Sequence, residues 1–455
     1  MSDEVAYKPA KTGYQVFMES EGIPVVEGFS PANVLDRRPD LVVIGNAVGP
    51  DNEEARAAID SGVAYRSFPD ALYEFAMADR HSVVIAGTHG KTTTTSLVSY
   101  LLHAGGRDPS LLIGGISLDF DGSFREGTGP HFVVEGDEYD TAFFDKTPKF
   151  LHYHAKTLVI TSVEFDHADI YRDLDHVKSA FREVVAGMPA DGTIVAALDH
   201  PNVREVVANA PCSVLGYSVE GAGDDGGAGN EIATVRARGA STDELGTHFE
   251  LIEGTTEEAH PVRVPLYGAF NVANALAALV VADVLGVSFS ESIPLLPGFK
   301  GVKRRQELRG EVNGVVVIDD FAHHPTAVSG SVAALRDRYP RGRIIAVFEP
   351  RTNTSRRRVF QTAYVDALAG EDRVLVRRVA NTPIYSATGE VTEWFSSDEL
   401  AQALRARGIS TLVGDEVDEI VDALVADQRP GDVVLVMSNG PFDGIWEKLL
   451  ERLKA

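Results

Sequence analysis

The sequence predicts an α/β protein of doubly wound, largely parallel sheets arranged in three consecutive units. Three observations carry that expectation. Short apolar runs such as 41–44, 83–86 and 432–437 alternate with helical stretches. Most of these runs end in polar or glycine-rich turns, where parallel strands deliver ligand-binding groups. One of them leads straight into Gly87-Thr88-His89-Gly90-Lys91-Thr92, a strand–turn–helix phosphate-binding pattern.

In the first unit, residues 1–79, helices are expected over 12–21, 52–61 and 69–78, and strands over 23–26, 41–44 and 64–66. The strand 41–44 ends at Gly45-Asn46-Ala47, which makes Asn46 a candidate substrate contact. The second unit, 80–298, has strands over 83–86, 132–135, 157–160 and 193–197. Helices follow the glycine turn over 93–103 and run through 181–186. The glycine- and aspartate-rich 221–230 reads as a loop. Alternation within 231–264 predicts a hairpin or small antiparallel sheet. An alanine-rich helix covers 271–285. The third unit, 299–455, has strands over 315–318, 343–348, 373–376 and 432–437, with helices over 325–338 and 355–367.

At 455 residues the chain has room for two to four domains. Asp and Glu number 67 against 42 Lys and Arg, a net charge of −25. That excess argues against nucleic acid and against an anionic membrane surface as partners. Cys212 is the only cysteine, so a disulfide framework is excluded and a reducing compartment fits. No uninterrupted apolar run approaches the roughly 18 residues that span a bilayer. The expectation is a cytoplasmic protein without membrane insertion and with no evident protein partner.

The chemistry centres on Gly87 to Thr93. Glycines turn backbone amides toward a phosphate, and the following helix adds its positive end. Lys91 would reach the β- and γ-phosphates of a nucleotide, and the Thr92 hydroxyl would ligate Mg²⁺. Ile85 stands where the general motif has a glycine, so this is a compact version. The acidic run Glu135, Asp137, Glu138 and Asp140 follows a buried strand and suits nucleotide-bound Mg²⁺; an acidic surface turn is the alternative. Glu164 to Asp169 also follows a strand. Its His167 would ligate a second metal, orient a catalytic group or cap the next helix. An arginine of Lys303 to Glu307, at a domain junction, would clamp a transferring phosphoryl group or lie on a solvated basic run. Asp319 to Pro325, after a strand and before a helix, would hold a ribose or a substrate, or cap the helix through Asp or His. The segments 349–354 and 438–442 stand at two further strand ends, so polar groups converge on one edge of this sheet.

Together these strings resemble the Mur ligase family, ATP-dependent amide-bond-forming enzymes of bacterial cell-wall synthesis. The resemblance runs in order through Gly87–Thr92, the Glu135 and Glu164–His167 segments, Tyr267–Asn274, Gly301–Glu307 and Asp320–Pro325. It implies three domains: a Rossmann-like N-terminal domain for the UDP sugar (1–79), a central phosphate-loop ATPase domain (80–298) and a Rossmann-like C-terminal domain for the incoming peptide (299–455). The strings 137–146, 164–169, 320–325 and 349–354 are most similar to the member that joins UDP-N-acetylmuramate to the tripeptide L-alanyl-γ-D-glutamyl-meso-diaminopimelate in murein recycling. Carried over, the resemblance implies ATP and Mg²⁺ bound by Gly87, Thr88, His89, Gly90, Lys91, Thr92 and Thr93. Lys91 and Arg305 would neutralise the γ-phosphate, Thr92 and Glu135 would hold the first metal and His167 the second. Asn271 and Asn274 would hold adenine and Asp320 the ribose. Asn46, His323 and Arg351 would face the sugar and peptide substrates.

Two departures from the family are local. Phe270 stands where many relatives have histidine and would stack on adenine; Gly136 stands where alanine is usual. A third is larger. The family opens with a strand and glycine-rich turn that receive the uridine diphosphate. A βα unit of roughly 25–35 residues of that kind is expected to be absent here. The N-terminal domain would then be truncated and UDP-N-acetylmuramate poorly bound. The alternative activities are addition of free L-alanine to UDP-N-acetylmuramate, non-catalytic nucleotide-dependent regulation, and small-molecule phosphorylation.

Overall fold

A computed structural model of the protein describes residues 18, 21–221, 233–254, 258–379, 386–387 and 389–454. The helix expected over 12–21 and the loop expected over 221–230 lie, but for their edges, outside the described residues.

In the N-terminal unit, β1 (Leu41–Ile44) pairs in parallel with β2 (Ala64–Ser67). The connecting helix α1 (Glu53–Asp60) starts where the Asn52 side chain accepts from the Ala55 amide. Residues 23–26, expected as a strand, form no ladder among the described residues. Pro24 has no N–H to donate, and the Ile23 amide bonds Met18 O.

The central unit is organised around β3 (His81–Ala86), which leads into α2 (Lys91–Ala104). Further along come β4 (Ser110–Ser117), β5 (Gly122–Arg125) and β6 (His131–Glu135). A small hairpin of β7 (Asp140–Ala142) and β8 (Asp145–Pro148) stands apart from the main sheet. After β9 (Thr157–Ile160) come α3 (Leu174–Ala186), β10 (Thr193–Ala197) and β11 (Ser213–Val219). The unit closes with β12 (Val235–Asp243), β13 (Gly246–Glu253), β14 (Ala259–Val264) and α4 (Ala269–Val284). The main sheet has ten strands in the order β14-β13-β12-β11-β10-β9-β3-β6-β4-β5. The antiparallel strands expected in 231–264 are present, but they extend this sheet, because β12 pairs in parallel with β11. β4 was not expected because Gly114 and Gly115 interrupt its apolar run, and β5, Gly-Ser-Phe-Arg, has no apolar run at all.

Alternation along β3 builds two cores. Val83 and Ile85 face Leu97 and Val98 of α2 and the alanines of α4. Val84 and Ala86 face Phe150 and Phe181 on the opposite side. The second side leaves Gly136 no room for a side chain: a Cβ there would lie 2.8 Å from Val84 Cγ1 and 3.0 Å from Phe150 Cβ. The glycine is thus a packing requirement here. Gly136→Ala is expected to cost about 1–3 kcal/mol, the usual penalty for overpacking, read as a lower denaturant midpoint.

The C-terminal unit holds β15 (Glu307–Val312), β16 (Val315–Asp320), α5 (Pro325–Arg338), β17 (Arg343–Phe348), α6 (Gln361–Ala367), β18 (Arg373–Arg377), β19 (Ser410–Gly414) and β20 (Asp432–Met437). The order β15-β16-β20-β17-β18-β19 is parallel except at the β15 edge. α6 starts later than the expected 355. Thr352 Oγ1 accepts the Ser355 amide in a side-chain turn, and Arg357 bridges to Trp394 in extended conformation.

Between α6 and β18, the Glu371 carboxyl is buried with no hydrogen-bond partner on either oxygen among the described residues. Burial, against the weaker pull of Arg336, pushes its pKa up to about 8. A raised folded-state pKa means that folding takes up a proton in the window between the unfolded value and about 8. This group's contribution therefore falls as pH rises through that window. Glu371→Gln is expected to flatten the pH dependence of thermal unfolding between pH 5 and 8. It should be more stable than the parent by about 1–3 kcal/mol near pH 8.

Candidate active site

The glycine turn is shaped by two positions that only glycine fits. Gly87 has φ 129°, and a Cβ would fall on Thr161 Oγ1. Gly90 has φ 81°, and a Cβ would fall on Asn274 Oδ1. Ser162 pins the loop, its carbonyl accepting Thr88 N at 3.0 Å and its hydroxyl accepting His89 N at 2.9 Å. Gly90 caps α2 with no side-chain hydrogen bond. The first-turn amides and the buried Thr93 thus remain at the cleft as an anion site.

Lys91 Nζ donates to Gly87 O at 2.6 Å and to Glu138 Oε2 at 2.9 Å. Glu138 is only 1% exposed, so this is a buried ion pair. Burial opposes the lysine's charge, but Glu138, then Asp137 and Glu135, outweigh it and raise its pKa. Thr92 Oγ1 donates to Glu135 Oε1 at 3.0 Å, and Arg305 Nη2 donates to the same hydroxyl at 3.0 Å. Glu135 also accepts the Gly114 amide at 2.7 Å.

The four carboxylates of the acidic run do not converge on one point. Successive residues of the turn point apart. Asp137 pairs with Lys149, Asp140 with Lys146 and Glu138 with Lys91, while Glu135 alone meets Thr92. His167, at φ 51°, brings Nε2 to 3.8 Å from Glu138 Oε2 and tilts its ring over Tyr139 at 4.3 Å. Asp166 stays ionised. Burial would protonate it, but the adjoining His167, whose amide donates to Asp166 Oδ1 at 2.7 Å, leads the groups that hold it well below the usual carboxylate range.

From the C-terminal unit, Arg305 also lies over the Phe321 ring at 4.6 Å. Its neighbour Arg304 turns away to Asp319 and Trp446 and serves the fold. Asp320 is buried, accepting Gln306 N at 3.0 Å and Ala322 N at 2.7 Å. His323 Nδ1 donates to Phe321 O at 3.0 Å, which leaves Nε2 facing Asp166 at 3.9 Å. Asn271 Nδ2 donates to Tyr267 O, Asn274 Nδ2 to Asn271 Oδ1, and Thr94 Oγ1 to Asn274 Oδ1. Each amide nitrogen has a second hydrogen that these bonds do not use.

All three units meet in one cleft of about 1400 Å³. It gathers Asn46, Phe75, Lys91, Glu135, His167, Asn271, Phe270, Arg305, Asp320 and His323. Of the expected site residues, Gly87 and Arg351 do not line it. Arg351 is exposed on the loop after β17, next to Gly440; Thr352 beside it does line the cleft. The sequence reading had no role for Glu138 apart from its acidic run, nor for Glu164 with its partner Thr326, whose hydroxyl donates to Glu164 Oε2 at 2.6 Å. The burial of Glu138 depends on tertiary packing that no local spacing encodes. The Thr92 hydroxyl and the Glu135 carboxylate, 3.0 Å apart at the cleft, are all-oxygen donors of the kind Mg²⁺ takes, so the residues present fit that ion.

Two family models match the chain: the Mur ligase middle domain over residues 85–282 and the Mur ligase glutamate ligase domain over 304–440. The UDP-N-acetylmuramate–L-alanyl-γ-D-glutamyl-meso-2,6-diaminoheptandioate ligase of Haemophilus influenzae is 35% identical over 454 residues, covering 100% of this chain and 93% of that protein. The UDP-N-acetylmuramate–L-alanine ligase of Burkholderia ambifaria is 35% identical over 445 residues, covering 96% of this chain and 90% of its own. The crystal structure of a murein peptide ligase from Psychrobacter arcticus superposes with a TM-score of 0.69 at 31% identity, covering 100% of this chain and 93% of that one. Two matched domain models, full-length relatives and a phosphate loop facing an arginine from the next unit lead to one assignment: the chain belongs to the Mur ligase family of ATP-dependent amide-bond-forming enzymes.

Proposed function

We propose that the protein joins UDP-N-acetylmuramate to the tripeptide L-alanyl-γ-D-glutamyl-meso-diaminopimelate, in the cytoplasm, through an acyl phosphate. The contact of Arg305 with Thr92 carries the reading. It unites the head of the C-terminal unit with the phosphate loop, where a γ-phosphate would lie. The sugar carboxylate attacks the γ-phosphorus, the bond to the bridging oxygen breaks and ADP leaves. The peptide amine then attacks the acyl carbon, and the tetrahedral adduct expels inorganic phosphate.

Phosphoryl transfer needs positioning and charge neutralisation more than covalent help. Lys91 exchanges Glu138 for phosphate oxygens, and Arg305 swings from Thr92 onto the γ-phosphate. Asn271, Asn274 and Phe270 hold the base, and Asp320 the ribose. Mg²⁺ held by Thr92 and Glu135, with a second ion at His167, would supply charge neutralisation. Asn46 faces the sugar nucleotide, while His323 and the loop bearing Arg351 face the peptide.

The full-length tripeptide-ligase relative favours the peptide over free L-alanine, although the alanine ligases reach a similar identity. Phosphate release with UDP-N-acetylmuramate should therefore require tripeptide. Equal turnover with free L-alanine would assign the alanine-adding activity instead. No release with either would favour a nucleotide-dependent regulatory role.

A further inference from the structure

We propose that His89, Glu164 and His324 form a binding site for one divalent transition-metal ion, which clamps the central unit to the C-terminal unit. One ligand atom from each lies within 4.8 Å of the others. His89 Nε2 is 3.5 Å and His324 Nδ1 is 3.8 Å from Glu164 Oε2, and the two imidazole centroids are 4.7 Å apart. A tetrahedral ion with bonds of about 2.0–2.2 Å needs donors roughly 3.3–3.6 Å apart, so the two carboxylate–imidazole separations are near that spacing and the two nitrogens, within 4.8 Å, would close by up to about 1.2 Å.

The orientation of His324 makes the stronger argument. Its Nε2 lies 3.2 Å from Phe165 O. A carbonyl only accepts, so that nitrogen carries the proton and the neutral ring turns the Nδ1 lone pair toward Glu164. A backbone carbonyl that fixes the far nitrogen is the usual outer support of a metal-bound histidine. His324 Nδ1 lies 3.8 Å from a carboxylate oxygen, and an ion between them would take its lone pair from the Thr326 amide, whose bond to it now caps α5. Two contacts compete. The Thr326 amide donates to His324 Nδ1 at 3.3 Å, a long bond, and the Thr326 hydroxyl donates to Glu164 Oε2. Glu164 Oε2, the oxygen that both imidazoles approach, has a second lone pair for the ion beside the Thr326 hydroxyl. His89 Nε2 is buried and makes no close hydrogen bond among the described residues.

Two imidazoles and one carboxylate favour zinc or cobalt over magnesium, which prefers oxygen alone. This separates the cluster from the Thr92–Glu135 pair. His89 and Glu164 belong to the central unit and His324 to the C-terminal unit, so one ion would hold the seam between them. The seam is already docked beside the site: Ala168 N donates to Thr354 Oγ1 at 2.9 Å, and Asn353 Nδ2 to Asp169 Oδ2 at 3.0 Å. All three ligands also line the cleft, which leaves the fourth coordination position open to it.

The test uses full-length protein stripped with chelator and held in excess Mg²⁺. Co²⁺ is titrated by its visible ligand-field absorption, and Zn²⁺ uptake is measured by equilibrium dialysis and elemental analysis. One equivalent of either ion is expected. His324→Gln and Glu164→Gln should each weaken uptake tenfold or more, while His167→Ala, at the candidate magnesium site, keeps it. The two weakening variants lie on different units, and thermal unfolding identifies which of them is folded and decides. No uptake by the parent, uptake unchanged in the folded variant, or loss in His167→Ala in their place would overturn the proposal. None of these readouts needs turnover, so the site stands or falls separately from the ligase reading.

Discussion

Lys91→Met is expected to lower ATP-dependent phosphate release by about a thousandfold or more, since it removes a preorganised charge from the γ-phosphate. The same change strands Glu138, which is 1% exposed, as a buried carboxylate without its cation. Breaking such a pair from one side typically costs about 3–5 kcal/mol. Adding Glu138→Gln should recover most of that stability, because the amide needs no counter-charge, and should recover no turnover. Denaturant unfolding and phosphate release on the single and double variants separate the two roles of the lysine. A single variant as stable as the parent would show that the pair contributes nothing to folding. A double variant with restored turnover would remove Lys91 from the chemistry.

Glu135→Gln should be nearly silent in the fold and severe in function. The amide oxygen still accepts from Thr92 or Gly114, which are 3.0 and 2.7 Å away. What disappears is the negative charge that a magnesium ion would meet. A loss of about 100- to 1000-fold in turnover is expected, as for removal of one group that stabilises charge in a transition state. The Mg²⁺ concentration giving half-maximal rate at fixed ATP should rise with it. A slowed variant with an unchanged Mg²⁺ profile would argue that Glu135 acts on Thr92 rather than on the metal.

The strands and the phosphate loop were legible because their signals are local. Val83 to Thr92 shows its strand, turn and helix within ten residues, and the apolar runs at 315–318, 343–348 and 432–437 fall where strands form. What stayed hidden depends on direction or distance. The acidic run after β6 named the right neighbourhood, yet a turn has no period from which to read that Glu138 points to Lys91 and Asp137 to Lys149. Gly136 looked like a minor departure until Val84 and Phe150 closed around it. Segment 23–26 read as a strand on composition, but a strand also needs a partner edge. Residues 355–360 had helical composition, and the side-chain turn from Thr352 to Ser355 overrode it.

The order of the central sheet also sets a timetable for biosynthesis. β3 lies between β6 and β9, so its apolar backbone gains its last neighbour only after residue 160 has left the ribosome. Ser162, which pins the phosphate loop, follows His89 by 73 positions, and Arg305 follows Thr92 by 213. At roughly 5–20 residues per second, the nascent loop waits about 10–40 s for its arginine. During the first part of that interval Val83 to Ala86 is an uncovered sticky edge, and chaperone capture of ribosome-bound chains should peak before β9 emerges and decline once it pairs.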